Sequence, residues 1–259
     1  MKKLWIGTNW KMNKTLAEGL SYTSKLLELS KDIDQRIQLF IIPPYTSLWP
    51  IKEKLAGTRI MLGAQNAHWE KEGPYTGEVS PEMLKEIGLD LIELGHSERR
   101  LYYKENDYDL SKKIRAVLDY DMKPLLCVGE NIDQKNNGIA DEIISMQLKI
   151  CLHEVKEYEA GKLLIAYEPV WAIGEKGVPA DVKDVVAIHA VIRKVLVDKF
   201  GEDGQEIPIL YGGSVNEVNS LQYLRLDNVD GLFIGRSAWN LTSFRKILTD
   251  VQTFLQQKD

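Results

Sequence analysis

Short apolar runs alternate with longer amphipathic stretches from one end of the chain to the other. The runs cover residues 4–8, 39–43, 60–63, 91–94, 124–128, 163–167, 207–211 and 232–234. Most are apolar at consecutive positions rather than at every second one. That pattern predicts strands covered on both faces, as in a parallel sheet under helices. The stretches between them carry helical period and helix-start signals. Thr15-Leu16-Ala17-Glu18 reads as a capping box, with Leu16, Leu20, Leu26, Leu27 and Leu29 as the apolar face behind it. Ser80-Pro81 reads as an N-cap followed by proline at the first helical position. Residues 185–200 place Ile188, Val191, Ile192, Val195 and Leu196 on one core-facing stripe.

About eight strands, each followed by a helix, predict an α/β fold: a single (β/α)8 barrel spanning residues 1–259. The 259-residue length is that of one such barrel, and no Pro/Gly/Ser-rich linker divides it into two smaller domains. A doubly wound open sheet is the competing architecture. The first strand end counts against it, because Gly7-Thr8-Asn9-Trp10 is not a GxGxxG turn. The net charge of −5 argues against nucleic acid as the main partner. Cys127 and Cys151 lie in apolar runs without CxxC spacing, which predicts reduced core residues in a cytoplasmic protein. The N-terminus has no long apolar region, since Asn9 and Lys11 interrupt it. Neither a signal peptide nor a membrane span is expected.

Polar residues recur just after the apolar runs, where a parallel barrel exposes its C-terminal face. Leu163-Leu164-Ile165-Ala166-Tyr167 runs directly into Glu168, then stiff Pro169-Val170-Trp171, then Gly174. A carboxylate on a rigid strand end beside a hinged loop suits a general base under a lid, and burial would raise its pKa. His96 follows Gly95 at another strand end. A helix starting near Ser97 would disfavour imidazolium and leave a neutral hydrogen-bond donor for a carbonyl. Lys11, with Asn9, is expected to face inward, steadying a developing oxyanion and attracting an anion. Ser97, Glu98, Arg99 and Arg100 read as supporting charge pairs, the two arginines as structural. Gly174, Gly212, Gly213, Ser214 and Gly235 suggest an anion cradle built from backbone N–H groups. His68, His153 and His189 are scattered, and no Cys/His spacing predicts a metal site.

These same segments resemble triosephosphate isomerases over the whole length. The matching stretches are Gly7-Thr8-Asn9-Trp10-Lys11-Met12-Asn13, Glu93-Leu94-Gly95-His96-Ser97-Glu98-Arg99-Arg100, Ala166 through Gly174, and Tyr211-Gly212-Gly213-Ser214-Val215. The resemblance implies an aldose–ketose isomerase without cofactor or metal. Glu168 would shuttle a proton between adjacent carbons, His96 would polarise the carbonyl while neutral, and Lys11 would supply positive charge. The family is itself the standard illustration of such separated pKa values and of lid closure. It also implies a homodimer through the loop from Gln65 to Glu78, a small phosphorylated sugar as partner, and Tyr211 as a supporting residue.

Two departures stand out. After Gly174, where the family commonly runs Thr-Gly-Lys-Thr-Ala, this chain reads Glu175-Lys176-Gly177-Val178-Pro179-Ala180. Gly235 is followed by Arg236, where the family usually has a second glycine. The Arg236 amide can face a phosphate, while its side chain either adds a charge or fills space outside the site. Both departures, with Trp5-Ile6-Gly7-Thr8 and Lys14 through Glu18, resemble a subgroup that isomerises L-erythrulose 1-phosphate to D-erythrulose 4-phosphate in erythritol use. By family breadth, dihydroxyacetone phosphate and glyceraldehyde 3-phosphate are the expected pair, in glycolysis and gluconeogenesis. The four-carbon phosphate is the alternative. A non-catalytic sugar-phosphate-binding barrel and a metal-dependent aldolase are the remaining readings.

Overall fold

In a computed structural model that describes residues 3–174 and 177–257, every apolar run becomes a parallel strand. The strands are β1 Leu4–Asn9, β2 Ile37–Ile42, β3 Met61–Ala64, β4 Leu91–Leu94, β5 Lys123–Val128, β6 Leu164–Tyr167, β7 Ile209–Tyr211 and β8 Gly231–Ile234. Each pairs with the next, and β8 returns to β1 with Trp5 opposite Gly231, so the sheet closes into a barrel. Closure removes the open-sheet alternative and confirms a single (β/α)8 barrel. Among the described residues no helix is long and apolar enough to cross a membrane.

Successive side chains of a strand point to opposite faces. Two apolar clusters sort accordingly. Ile6, Ile92, Leu126, Ile165, Tyr167 and Tyr211 pack outward under the helices. Trp5, Phe40, Leu91, Leu125, Cys127, Leu164, Ala166, Leu210 and Phe233 fill the lumen. Counting on by twos from these lumen positions reaches Asn9, Glu93, Glu168, Gly212 and Gly235 at the C-terminal rim. The floor of any pocket there is thus set by strand parity. Lower down the lumen is apolar and tight. The Phe40 ring stacks on Phe233 at 5.7 Å and occupies the space a side chain at Gly7 would need.

Some expected boundaries move, each for a local reason. β2 begins two residues early because Gln38 is buried within it, its amide donating to the Arg59 carbonyl at 2.7 Å. β7 begins only at Ile209, after Pro208, which has no N–H for the ladder. The long helix spans Val182–Phe200 rather than 185–200, because Asp181 caps it by accepting from the Lys183 N–H at 2.8 Å. The helix Leu16–Ser30 has the capping box at Thr15 and Glu18, but its inward face is Gly19, Tyr22, Thr23 and Leu26. Leu16 is exposed, and Leu20, Leu27 and Leu29 sit on the flanks. The rotation follows from Gly19, which lets the helix lie against the Trp10 ring, and from Tyr22, whose hydroxyl donates to the Ala238 carbonyl at 2.6 Å.

One contact joins the barrel frame to Glu168. Its backbone N–H donates to the Val128 carbonyl at 2.7 Å, and a Cβ on Gly129 would lie 1.9 Å from its carbonyl oxygen. Gly129→Ala is therefore expected to cost about 1–3 kcal/mol, by overpacking against backbone that cannot yield. A urea-denaturation midpoint equal to wild type would contradict this.

Candidate active site

Asn9 ends β1 with its amide fixed on both sides. Its Oδ1 accepts from the Lys11 N–H at 2.5 Å and from Gln65 Nε2 at 3.1 Å, while its Nδ2 donates to Glu93 Oε2 at 2.7 Å. Lys11 follows with φ of 53°, a left-handed conformation uncommon for a residue with a Cβ. That turn aims its Nζ across the rim to Glu98 Oε1 at 2.7 Å. The lysine and Asn9 thus meet as the sequence suggested, with Glu98 holding the ammonium.

His96 is the N-cap of the helix Ser97–Tyr102. Its Nδ1 accepts the Glu98 N–H at 3.1 Å, so the proton of the neutral ring sits on Nε2. Nε2 lies 3.4 Å from Glu168 Oε1. Burial, and secondarily the Lys11 charge, push the His96 pKa down to about 3. The helix start thereby sets the tautomer as well as the charge of the ring. Glu168, only 3% exposed, accepts the Ser97 N–H on Oε2 at 3.1 Å. Burial raises its pKa, and the Lys11 charge and the Ser97 N–H pull it partway back. An ionisable base and a neutral donor stand side by side, which is what proton transfer next to a carbonyl requires.

Above this floor opens a cavity of about 850 Å³ that Asn9, Lys11, His96 and Glu168 share with Gly174, Gly213, Ser214, Gly235 and Arg236. The far wall is knit together by backbone. Gly174 has φ of 89°, and its carbonyl accepts from Arg236 Nη2 at 2.7 Å. The Ser214 hydroxyl donates to the Ala172 carbonyl at 2.8 Å. Gly235 precedes the short helix Arg236–Trp239, and the Trp239 indole donates to the Asn9 carbonyl at 2.8 Å. Tyr211 points outward under the helices, its ring tilted against Tyr223 at 4.2 Å, while the Tyr223 hydroxyl donates to the Ala180 carbonyl at 2.8 Å. The expected changes at Glu175 and Lys176 fall outside the described residues. Arg99 and Arg100 serve structural pairs: Arg99 faces Glu105 at 3.3 Å, and Arg100 bonds the Gly95 and Cys127 carbonyls and Asp107.

Sequence reasoning missed three participants. Gln65 Nε2 also donates to the Lys11 carbonyl at 2.7 Å, tying the third loop to the site. Glu130 accepts from the Trp171 indole at 2.7 Å and the Tyr167 hydroxyl at 3.1 Å, fastening the start of the lid. Glu93 sits fully buried beneath Asn9. A charged residue at an inward parity of an apolar strand was the signal for it. Ligand atoms of Glu93, His96 and Glu168 lie within 4.8 Å of one another, a spacing that would suit a cation. The tautomer does not: with Nδ1 accepting a backbone N–H, Nε2 carries the proton and offers no lone pair.

Comparison with known proteins agrees with this geometry. The family model for triosephosphate isomerase matches residues 4–251. The chain is 46% identical to the L-erythrulose-1-phosphate isomerase of Mesorhizobium japonicum, covering 94% of this chain and 95% of that protein. It is 42% identical to the protein of the same name from Brucella abortus, covering 99% of each. Among solved structures, a triosephosphate isomerase from Bartonella henselae superposes with a TM-score of 0.83 at 33% identity, covering 95% of this chain and 97% of that one.

The electrostatics set an expected pH profile. With Glu168 as the candidate base, which must be ionised to accept a proton, activity is expected to fail as pH drops through its raised pKa, above the ordinary value of about 4.3. His96, neutral down to about pH 3, adds no limb in that range. Lys11→Met removes the largest influence lowering the Glu168 pKa. The acid limb of its residual kcat/KM is expected at higher pH than in wild type; a shift to lower pH would refute this account.

Proposed function

The chain belongs to the triosephosphate isomerase family, and on that footing we propose that it isomerises L-erythrulose 1-phosphate to D-erythrulose 4-phosphate in erythritol use. The family fixes the reaction type, an intramolecular oxidoreduction of the aldose–ketose isomerase class that moves a carbonyl by one carbon in a short sugar phosphate; with the four-carbon pair it joins two ketoses. The observation that carries the finer choice is the name shared by relatives at 46% and 42% identity over nearly their full length. It favours the four-carbon substrate over the triose pair that family breadth suggested. The triose pair keeps the support of the likeness to the Bartonella henselae structure.

The chemistry is the same in both cases. The four-carbon substrate is a triose phosphate carrying one more hydroxymethyl group on the carbon that yields its proton. Glu168 takes that proton, and the electron pair flows into the neighbouring carbonyl to form an enediolate. Nε2–H of His96 and the charge of Lys11 stabilise the oxygen. Glu168 returns the proton to the adjacent carbon, His96 passes the hydroxyl proton between the oxygens, and the carbonyl has moved one position. Gly174, Gly213, Ser214, Gly235 and Arg236 hold the phosphate. Lid closure keeps water from an intermediate that could eliminate phosphate. No cofactor enters these steps.

The working unit we propose is a homodimer in the cytoplasm. Met12, Tyr102 and Tyr103 line the pocket mouth and are 96%, 69% and 70% exposed. The loop from Gln65 to Glu78 of a second copy would cover such a surface. The loop itself is stiffened by His68, stacked on Trp69 at 4.2 Å and packed at a tilt against Tyr75 at 4.2 Å. Two free, buried cysteines fit a reducing compartment.

Side-by-side kcat/KM on L-erythrulose 1-phosphate and glyceraldehyde 3-phosphate tests the substrate. Preference for the first is expected, and preference for the triose would transfer the assignment to the glycolytic reaction. Glu168→Gln should lower kcat by about 10²–10⁴-fold with ligand binding kept. Wild type and variant that bind alike and turn over neither sugar would instead point to a binding barrel. Arg236→Gly is expected to raise KM about tenfold, with kcat changed less, if its charge serves the phosphate.

A further inference from the structure

A carboxyl with no part in the scheme above stands directly beside the proton-transfer pair. Glu93 lies on the lumen side of β4, two residues beyond Leu91, and is wholly buried. Its Oε2 accepts from Asn9 at 2.7 Å, and its Oε1 lies 3.8 Å from the Cys127 sulfur. The titratable groups around it are Lys11 after β1, Tyr45 after β2, His96 and Glu98 after β4, Cys127 on β5 and Glu168 after β6. Among the described residues no cation forms an ion pair with Glu93. Lys11 is engaged by Glu98, and Arg100 by Asp107 and two carbonyls.

Two carboxyls this close in a dry site do not both ionise cheaply, and the better-supported one keeps the charge. Glu168 has the Ser97 N–H and the field of Lys11. Glu93 has one amide N–H and a long contact from the Cys127 thiol, with the Lys11 field ranking below both burial and the opposing Glu168 charge. Burial first, then the Glu168 charge, raise its pKa well above the ordinary carboxylate range. An ionised Glu93 would also oppose the negative oxygen that forms during isomerisation, whereas a protonated one does not. The Asn9 amide is held against flipping because its oxygen is engaged by Lys11 N–H and Gln65 and its nitrogen by Glu93.

We infer that Glu93 is a positioning residue of the isomerisation, a protonated carboxyl that pins the Asn9 amide to the pocket floor and leaves the negative charge there to Glu168. The inference rests on the reading of Glu168 as the base. Glu93 is the acid that stays neutral so that its neighbour can be the anion.

Two variants and a spectrum test it. In E93Q the oxygen acceptor is kept and the charge question removed. Its kcat is expected to fall less than about tenfold, with the acid limb of kcat/KM where wild type has it. In E93L the acceptor for Asn9 is lost, and kcat should fall about ten- to a hundredfold, with KM changing less. The folded state binds a proton at Glu93 that the unfolded chain releases above about pH 4.3, so wild type loses stability relative to E93Q as pH rises from there. The Tm of E93Q minus that of wild type should therefore rise with pH. Infrared difference spectra near neutral pH should show the carbonyl stretch of a protonated carboxylic acid in wild type and not in E93Q. An acid limb displaced downward in E93Q, a Tm gap flat with pH, or no such stretch would overturn the inference. So would an E93L enzyme with unchanged kcat. If E93L does not fold, E93Q and the spectrum still decide. The spectrum needs no substrate, so its outcome is independent of which sugar phosphate the protein uses.

Discussion

Eight parallel strands closed into a ring leave the last inward position of each strand only one place to go, the floor of a shared pocket. Everything at this site inherits that constraint. Asn9, Glu93, Cys127, Glu168 and Gly212 arrive there by strand parity, from five different strand ends, without any loop having to be folded inward. Rigidity follows from the same source. Backbone pairing, such as Glu168 N–H to the Val128 carbonyl, fixes side-chain origins before any side chain makes a contact. His96 lies one step beyond the strand and needs a second device. The helix start at Ser97 supplies it by spending one backbone N–H on the ring and another on Glu168.

Burial does most of the electrostatic tuning. Low dielectric disfavours the charged form of every group, and therefore moves acids and bases in opposite directions. The Glu168, Glu93 and Cys127 pKa values rise, while that of His96 falls. A single dry floor can thus hold a neutral imidazole, a protonated carboxyl, an inert thiol and one useful carboxylate. What differentiates the two glutamates is local: Glu168 accepts a helix-start N–H and has Lys11 as its strongest stabilising influence, while Glu93 accepts a side-chain amide and has the Glu168 charge against it. Cys127, which the sequence marked only as core, is part of this floor, its sulfur 3.8 Å from Glu93 Oε1.

The fold was legible because strands buried on both faces produce unbroken apolar runs, and the eight runs matched the eight strands. Boundaries blurred where a residue broke the type rule for a reason visible only in three dimensions, as with Gln38 inside β2 and Pro208 before β7. The helix Leu16–Ser30 does turn Leu20, Leu26, Leu27 and Leu29 toward the core, but Leu16 is exposed and Gly19 and Tyr22 set the line of closest contact. At the site, Glu168, His96, Lys11 and Asn9 stood out as polar residues following apolar runs, and the family resemblance gave them roles. Glu93 did not stand out, since it lies within a strand rather than after one. Gln65 was seen only as part of a loop, because its bonds to Asn9 and Lys11 span more than fifty positions of sequence.

The bond between Arg236 and the Gly174 carbonyl has a consequence for the cycle as a whole. On the proposed reading the guanidinium serves the anion cradle, while the carbonyl belongs to the segment that would close over it. An anion that engages Arg236 competes for donors now committed to that segment, so occupancy of the cradle and the freedom of the lid share one free energy. Linkage of this kind runs in both directions. Whatever the anion does to the lid's equilibrium, the lid does equally to the anion's residence, and a single exposed arginine becomes the coupling between holding a product and letting it go.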